Sequence, residues 1–285
     1  MDLTLFITIL ITGLLTGGMY SLIAVNFNFQ IGALRVVNFS YGAFLMLAMY
    51  LVFEVSVLNL PFFATLGLVI LLLLPCYFLV GWLLRRYVVF TELEDVQILL
   101  TMGLAIFIEN MAQAIWGAFP RTLGAMEKGV LLGNIYINVT RLQVFVVSLI
   151  LLAAGYVLLT RTWFGRCIRA VVQNKEMASV VGVNARRVAV MAFAISYCFL
   201  VIGAYLLMMF FSVEPHTGGS FLTMVFLICV LGGIGNLAGS FVASFIIGII
   251  SAFVSFYLPG YHDPILFSAF ILLILLRPSG LFGEV

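Results

Sequence analysis

The chain has 285 residues, 65% of them hydrophobic and only 8% charged, with a formal net charge of +2 and a mean hydropathy of +1.27. Soluble domains carry about 25% charged residues, and no soluble core of this size hides so much apolar surface, so a soluble enzyme or binding module is excluded. A bilayer-spanning helix needs roughly 20 mostly apolar residues; about eight such runs cover the sequence and leave no room for a soluble domain.

The N-terminal Met-Asp-Leu-Thr-Leu-Phe has no basic segment, so the first run reads as a retained helix rather than a cleaved signal. It extends from Leu3 to about Val25 and carries Gly13, Gly17 and Gly18, a small-residue face that lets another helix approach closely. A polar interruption follows, from Asn26 through Asn28, Gln30, Arg35, Asn38 and Ser40 to Gly42. A second span then reaches about Leu58. Pro61 opens a third, which ends at Arg85 and Arg86. A short acidic segment (Glu92, Glu94, Asp95) precedes a fourth span, Val96 to Phe119, and the polar loop from Pro120 to Arg141 has room for a short hairpin or helix. The fifth span runs to Thr160 and meets a basic stretch, Arg161 to Arg187. The sixth extends from Val188 to Phe211. Glu214 to Gly219 reads as a turn, and the next apolar run, to Leu258, is broken between Leu231 and Gly239. A turn at Pro259 to Pro264 leads to the last span, which ends at Arg277. The runs are continuously apolar rather than alternating, so membrane strands are not expected.

Orientation follows from the bias of Lys and Arg toward the cytoplasm. The stretch from Arg161 to Arg187 holds six of the 13 basic residues and one acid, Glu176. If it is cytoplasmic, alternation puts Arg35, Arg85, Arg86 and Arg277 on the same side and leaves Arg121, Lys128 and Arg141 outside. The N-terminus is then external and the C-terminus cytoplasmic. The segment from Phe221 to Leu258 must start and end outside, so its glycine-rich break marks a re-entrant turn or the join of two short spans. Broken hydrophobic runs near Gly42 and near Gly235 point to an inverted internal repeat with a pathway at the breaks.

Within the basic stretch, Glu176, Met177 and Ala178 favour helix, while Gly182 followed by Asn184 is a helix stop. A short surface helix ending in a tight turn makes a knob that a partner's groove can accept; an ordinary positive-inside loop is the plainer reading. The run Gly232, Gly233, Gly235, Gly239 is not a phosphate loop, for no Lys-Ser/Thr completes it. It fits a backbone turn lining a polar path and equally a close helix crossing. Arg35 is expected at the cytoplasmic interface, where a long cationic side chain can snorkel. Glu109 and Gln113 share one helix face, which should meet protein or water. His216 and His262 read as solvated turn residues. Cys76, Cys167, Cys198 and Cys229 are scattered singly, so neither a metal site nor a disulfide framework is supported, and no cofactor is implied.

The spacing Glu176-x-Ala178-x-x-x-Gly182 resembles the ATPase-docking loop of binding-protein-dependent ATP-binding-cassette importer permeases, with Met177 where that motif has a second alanine. More closely, Gly165 to Asn184 resembles the corresponding loop of branched-chain amino-acid permeases. Leu34 to Gly42, Val230 to Ser240 and Leu276 to Gly283 are similar to further segments of that family. The four segments occur in the same order over nearly the whole chain, and by length it looks like the shorter of two paired permeases. Asn26-Phe-Asn-Phe-Gln30 departs from the aliphatic, glycine-containing pattern expected there, and permeases for urea and short-chain amides share the family.

The expected fold is therefore all-α, a polytopic membrane protein of about eight spans with broken or re-entrant segments, forming one permease domain over 1–285 with a coupling loop at 161–187. The resemblance implies the permease of an importer for branched-chain or related hydrophobic amino acids in a bacterial inner membrane, working by alternating access. It implies a second permease chain, two cytoplasmic ATPases that carry all hydrolysis, and an external solute-binding protein. Glu176, Met177, Ala178, Gly182, Val183 and Asn184 are then the ATPase-docking residues. Asn38, Ser40, Gly42, Gly232, Gly233, Gly235 and Asn236 are candidates for the translocation path. The alternatives are a urea or amide permease and an ion-coupled transporter or channel, whose only mid-span carboxylate would be Glu109.

Overall fold

A computed structural model describes residues 3–34, 37–83, 94–123, 129–132, 135–276 and 280–282. The readings made for Arg35, Arg85, Arg86, Glu92, Lys128 and Arg277 lie outside these residues. Among the described residues, eleven α-helices run in the order α1 (Leu3–Leu34), α2 (Tyr41–Ser56), α3 (Phe62–Leu83), α4 (Glu94–Trp116), α5 (Val139–Arg161), α6 (Trp163–Gln173), α7 (Lys175–Val180), α8 (Ala185–Met208), α9 (Thr217–Gly232), α10 (Leu237–Tyr257) and α11 (His262–Leu276). An antiparallel hairpin, β1 (Gly129–Leu132) with β2 (Ile135–Asn138), fills the loop before α5. Among the described residues, five helices are long and apolar enough to cross a membrane, and α2, most of α3 and α9 are shorter apolar helices.

Two expectations change. The polar stretch from Asn26 to Gln30 does not interrupt the first span, because α1 continues through it to Leu34. Asn26, Asn28 and Gln30 are buried against protein, so their amides never meet lipid, which is the condition for polar side chains at membrane depth. The segment from Glu214 to Gly219 is not wholly a turn. The Thr217 hydroxyl accepts from the Glu214 N–H at 2.9 Å, and α9 starts at Thr217.

The chain forms two compact units. One takes residues 1–28, 125–154 and 224–285. In it, a Cβ placed on Gly13 or Gly17 would lie 2.8 Å from the Cα of Ile249 or Phe245 on α10, so the small-residue face expected on the first span seats that helix at backbone contact. The Cys229 thiol of α9 donates to the Ala24 carbonyl of α1 at 3.3 Å. His262 is not a solvated turn residue. It opens α11, and its ring lies 2.7 Å from the Ser251 hydroxyl of α10.

The other unit takes residues 29–124 and 155–223. Its core is α2, in which every residue from Tyr41 to Tyr50 is buried. A helix apolar all round is an interior helix, and α2 packs on α3, α4 and α8. At its C-terminal end, the Glu54 carboxylate accepts from the Trp116 indole and from Arg121, both at 2.9 Å. Tyr50 stacks on Trp116 with centroids 4.7 Å apart. Arg121 also pairs its backbone with Val213, at 2.9 and 2.8 Å, which ties the loop after α4 to the loop after α8.

Candidate functional site

The basic stretch folds as two short helices and a turn. The side-chain oxygen of Thr162 accepts from the Gly165 N–H at 3.1 Å and starts α6. The inward face of α6 buries Gly165, Cys167, Ile168 and Val171, and Arg166 and Arg169 are exposed. A six-residue helix has too few internal bonds to stand alone, and α7 is held at both ends. The Asn174 side-chain oxygen Oδ1 accepts from the N–H groups of Glu176 and Met177, at 2.9 and 3.0 Å, the favoured N-cap arrangement. Gly182 has φ +83°, and the Val183 N–H reaches back to the Ala178 carbonyl at 2.9 Å, closing the left-handed C-terminal turn that favours glycine. Asn184 then caps α8 by accepting from the Arg187 N–H at 3.1 Å.

This geometry sorts the six residues expected to dock an ATPase. Ala178 is 3% exposed and faces inward, whereas Met177 is 67% exposed. Val180 and Val181 project further, at 80% and 75%. Glu176 and Gly182 are exposed, Gly182 with open space around it. The two valines were missed by motif spacing, since the motif leaves their positions free. Their signal is two adjacent apolar residues on a short helix outside the spans.

The path candidates fall in separate units. In the first, Gly232 and Gly239 bring the end of α9 and the start of α10 to backbone contact, with residues 233–236 as the turn between them. The break is thus the join of two helices. Its hub is Asn28, fully buried on α1. The Asn28 amide nitrogen donates to the carbonyls of Gly233 and Asn236, at 3.1 and 2.9 Å, and to the Ser240 hydroxyl at 2.6 Å; its oxygen accepts from the Gly235 N–H at 2.6 Å. Asn236 caps α10 by accepting from the Gly239 N–H at 2.9 Å and donates to the Phe282 carbonyl, also at 2.9 Å. The Leu281 N–H donates to the Leu231 carbonyl at 2.7 Å. Three stretches distant in sequence therefore meet here: the asparagine of α1, the glycine turn and the C-terminal segment. In these contacts the polar groups of the break are turned toward one another.

In the second unit, Asn38, Ser40 and Gly42 lead into α2. The Asn38 oxygen accepts from both the N–H and the hydroxyl of Ser40, at 3.1 and 2.6 Å. The Ser40 hydroxyl is thereby committed, and no side chain caps α2. Gly42 meets Gly218 of α9, where a Cβ on Gly218 would lie 2.6 Å from the Gly42 carbonyl oxygen. The first turns of two 16-residue helices thus touch. Gln30, which the sequence marks only as part of the departure at Asn26 to Gln30, joins this group with Tyr77 and Tyr197, neither of which was singled out from sequence. Their signal is polar atoms inside apolar spans. Asn38 donates to the Gln30 oxygen at 3.5 Å, and the Tyr77 and Tyr197 rings lie 4.0 Å apart between centroids. Glu109 is separate: it lies near His216 and the first turn of α9 and so meets protein, whereas Gln113 on the same face is exposed.

A family model described as "Branched-chain amino acid transport system / permease component" matches residues 9–277. The chain is 26% identical to the high-affinity branched-chain amino acid transport system permease protein LivH of Salmonella typhimurium, with 98% of this chain and 96% of that protein covered. It is 24% identical to the permease protein BraD of the same kind of system in Pseudomonas aeruginosa, covering 96% and 95%. A probable branched-chain amino acid transport permease protein LivH of Methanocaldococcus jannaschii is 25% identical over 79% of this chain and 73% of its own length. No solved structure matches the chain.

Proposed function

Because the chain belongs to the permease-component family of branched-chain amino acid transport systems, we propose that it is the permease subunit of an ATP-binding-cassette importer. Its substrates are branched-chain or related hydrophobic amino acids, and its place is a bacterial inner membrane. The reading rests chiefly on the full-length match to permeases whose names state that substrate. Residues 1–285 act as one permease domain. The knob of α7, with Met177, Val180 and Val181 outermost and Glu176, Gly182, Val183 and Asn184 shaping its ends, docks into a groove of a cytoplasmic ATPase. Ala178 supports it from beneath. The tight caps of α7 and its packing on α6 and α8 favour its moving as one piece, so a push from the ATPases reaches the long α8 without being absorbed by a loose loop. A second permease chain completes the pathway, and an external solute-binding protein delivers the substrate.

The test is L-[14C]leucine uptake by vesicles holding the permease, its ATPases and the binding protein. Uptake is expected to stop when the ATPases carry a hydrolysis-blocking substitution. Uptake that persists would assign the chain to ion-coupled transport instead, and uptake of urea in place of leucine would move it to the urea and amide branch.

A further inference from the structure

The start of α2 combines three properties that rarely coincide. It is fully buried, with Asn38, Ser40 and Tyr41 at 1% exposure or less. Its Tyr41 N–H is met by the Asn38 backbone carbonyl at 3.1 Å, but no side chain caps the helix, although side chains commonly serve the first N–H groups. And it is faced by polar atoms without a hydrogen bond: the Gln30 amide nitrogen and the hydroxyls of Tyr77 and Tyr197. The Tyr197 hydroxyl lies beside Asn38 and Gln30 yet closes no well-formed bond to either. Gln30 and Tyr197 are each 1% exposed and Tyr77 is 8%. Buried polar groups are almost always paired, and each exception calls for an explanation.

Depth and charge narrow the explanation. Tyr197 stands at the middle of the 24-residue α8 and Gln30 near the C-terminal end of α1, so the group lies within the depth that these two apolar helices span. The described acids and bases are absent from the surroundings of the two hydroxyls, where the neighbours are Asn38, Gln30, Tyr41 and thiols. What the group offers is donors: an amide N–H, two phenols, and the positive end of a helix dipole, which favours an anion. The tyrosine faces beside them can also receive a cation. Broken helices that present their N-termini at mid-membrane are a known means of holding the carboxylate of a substrate.

We propose that Gln30, Asn38, Tyr77 and Tyr197, beside the start of α2, form an intramembrane site for the carboxylate of the amino acid in transit. The identification of the ligand as an amino acid rests on the permease reading above. The site's existence rests on the unpaired donors. These donors cost stability in the empty protein, because a buried hydroxyl without a partner keeps its full desolvation penalty. Tyr77→Phe and Tyr197→Phe should therefore leave the melting temperature equal or raised while impairing transport.

The experiment has two readouts. In vesicles with the complete importer, Tyr197→Phe and Gln30→Glu are expected to lower the maximal rate of L-[14C]leucine uptake about ten-fold, the size of one lost hydrogen bond to a charged group. By saturation-transfer NMR on the detergent-solubilised permease complex without binding protein, L-leucine and 4-methylpentanoate should give signals that both variants suppress. Leucinamide, which lacks the carboxylate, should give little. Unchanged uptake in Tyr77→Phe and Tyr197→Phe would overturn the site and leave ordered water as the occupant. So would a leucinamide signal as strong as that of leucine, or no signal from either carboxylate on the parent chain. If the parent importer takes up no leucine yet 4-methylpentanoate binds and Gln30→Glu abolishes it, the substrate reading fails and the carboxylate site stands.

Discussion

Asn28 shows how one side chain can organise a turn built by residues two hundred positions away. Its amide is complementary to the turn at both ends, sharing its two hydrogens among two carbonyls and a hydroxyl and taking one from Gly235. Asn28→Ala removes all four bonds and leaves the Gly235 N–H without a described partner, a loss of about 1–3 kcal/mol if that group stays dry. Asn28→Asp keeps the acceptor but turns a carboxylate toward the carbonyls of Gly233 and Asn236. The aspartate variant is therefore expected to melt no higher than the alanine variant when purified protein is unfolded by heat. If aspartate matches the parent, the amide nitrogen is not the group that holds the turn. From sequence, the stretch from Asn26 to Gln30 reads as an interruption because three amides in an apolar run look like an exit from the membrane. In the fold they are buried. Polarity marks a residue that needs a partner, and whether water or protein supplies it is not encoded locally.

At the scale of an element, α7 was the most legible part of the chain, and the reason is its shortness. A six-residue helix must carry its own start and stop signals, and Asn174 and Gly182 are both local. Gly182 has open space but a positive φ, so Gly182→Ala is expected to cost about 1 kcal/mol through backbone strain without touching a neighbour. Gly182→Arg adds charge and bulk to the knob. It should abolish co-purification with the ATPases while the chain still inserts and purifies as a folded protein. Val180→Asp should do the same without altering the turn, since Val180 is 80% exposed and outside the positive-φ position. Normal co-purification of both variants would remove α7 from the interface.

For the whole molecule, the distribution of basic residues sets the orientation. Arg161, Arg166, Arg169, Arg186 and Arg187 all belong to the segment that contains α6, α7 and the start of α8. The positive-inside rule predicts a cytoplasmic place for that segment and an external one for the turn at Pro259–Tyr261. In a background with the four native cysteines replaced, Val180→Cys should react with a membrane-impermeant maleimide only in inside-out vesicles, and Tyr261→Cys only in intact cells. The reverse pattern would invert the topology and take the knob away from any cytoplasmic partner. Both positions are exposed in the fold, at 80% and 63%, so in membranes that hold the permease without its partners failure to label would report sidedness rather than burial.

The sequence by itself determined the class, the approximate spans and the family. Each of these follows from run length, charge bias or short local patterns, which act over a few residues and need no knowledge of neighbours. It also marked Gly42, Gly232, Gly235 and Asn236 as places of interest, though not what they touch. Only the tertiary structure decided that Gly42 meets Gly218 and that the break after α9 is held by Asn28 and the C-terminal segment. It likewise decided that the Gln30 amide nitrogen and the Tyr77 and Tyr197 hydroxyls gather without hydrogen bonds near the start of α2. The physical reason is the same in each case. A glycine or an amide inside an apolar run announces a close approach or a hydrogen bond, but its partner comes from a helix far along the chain, and only packing brings the two together.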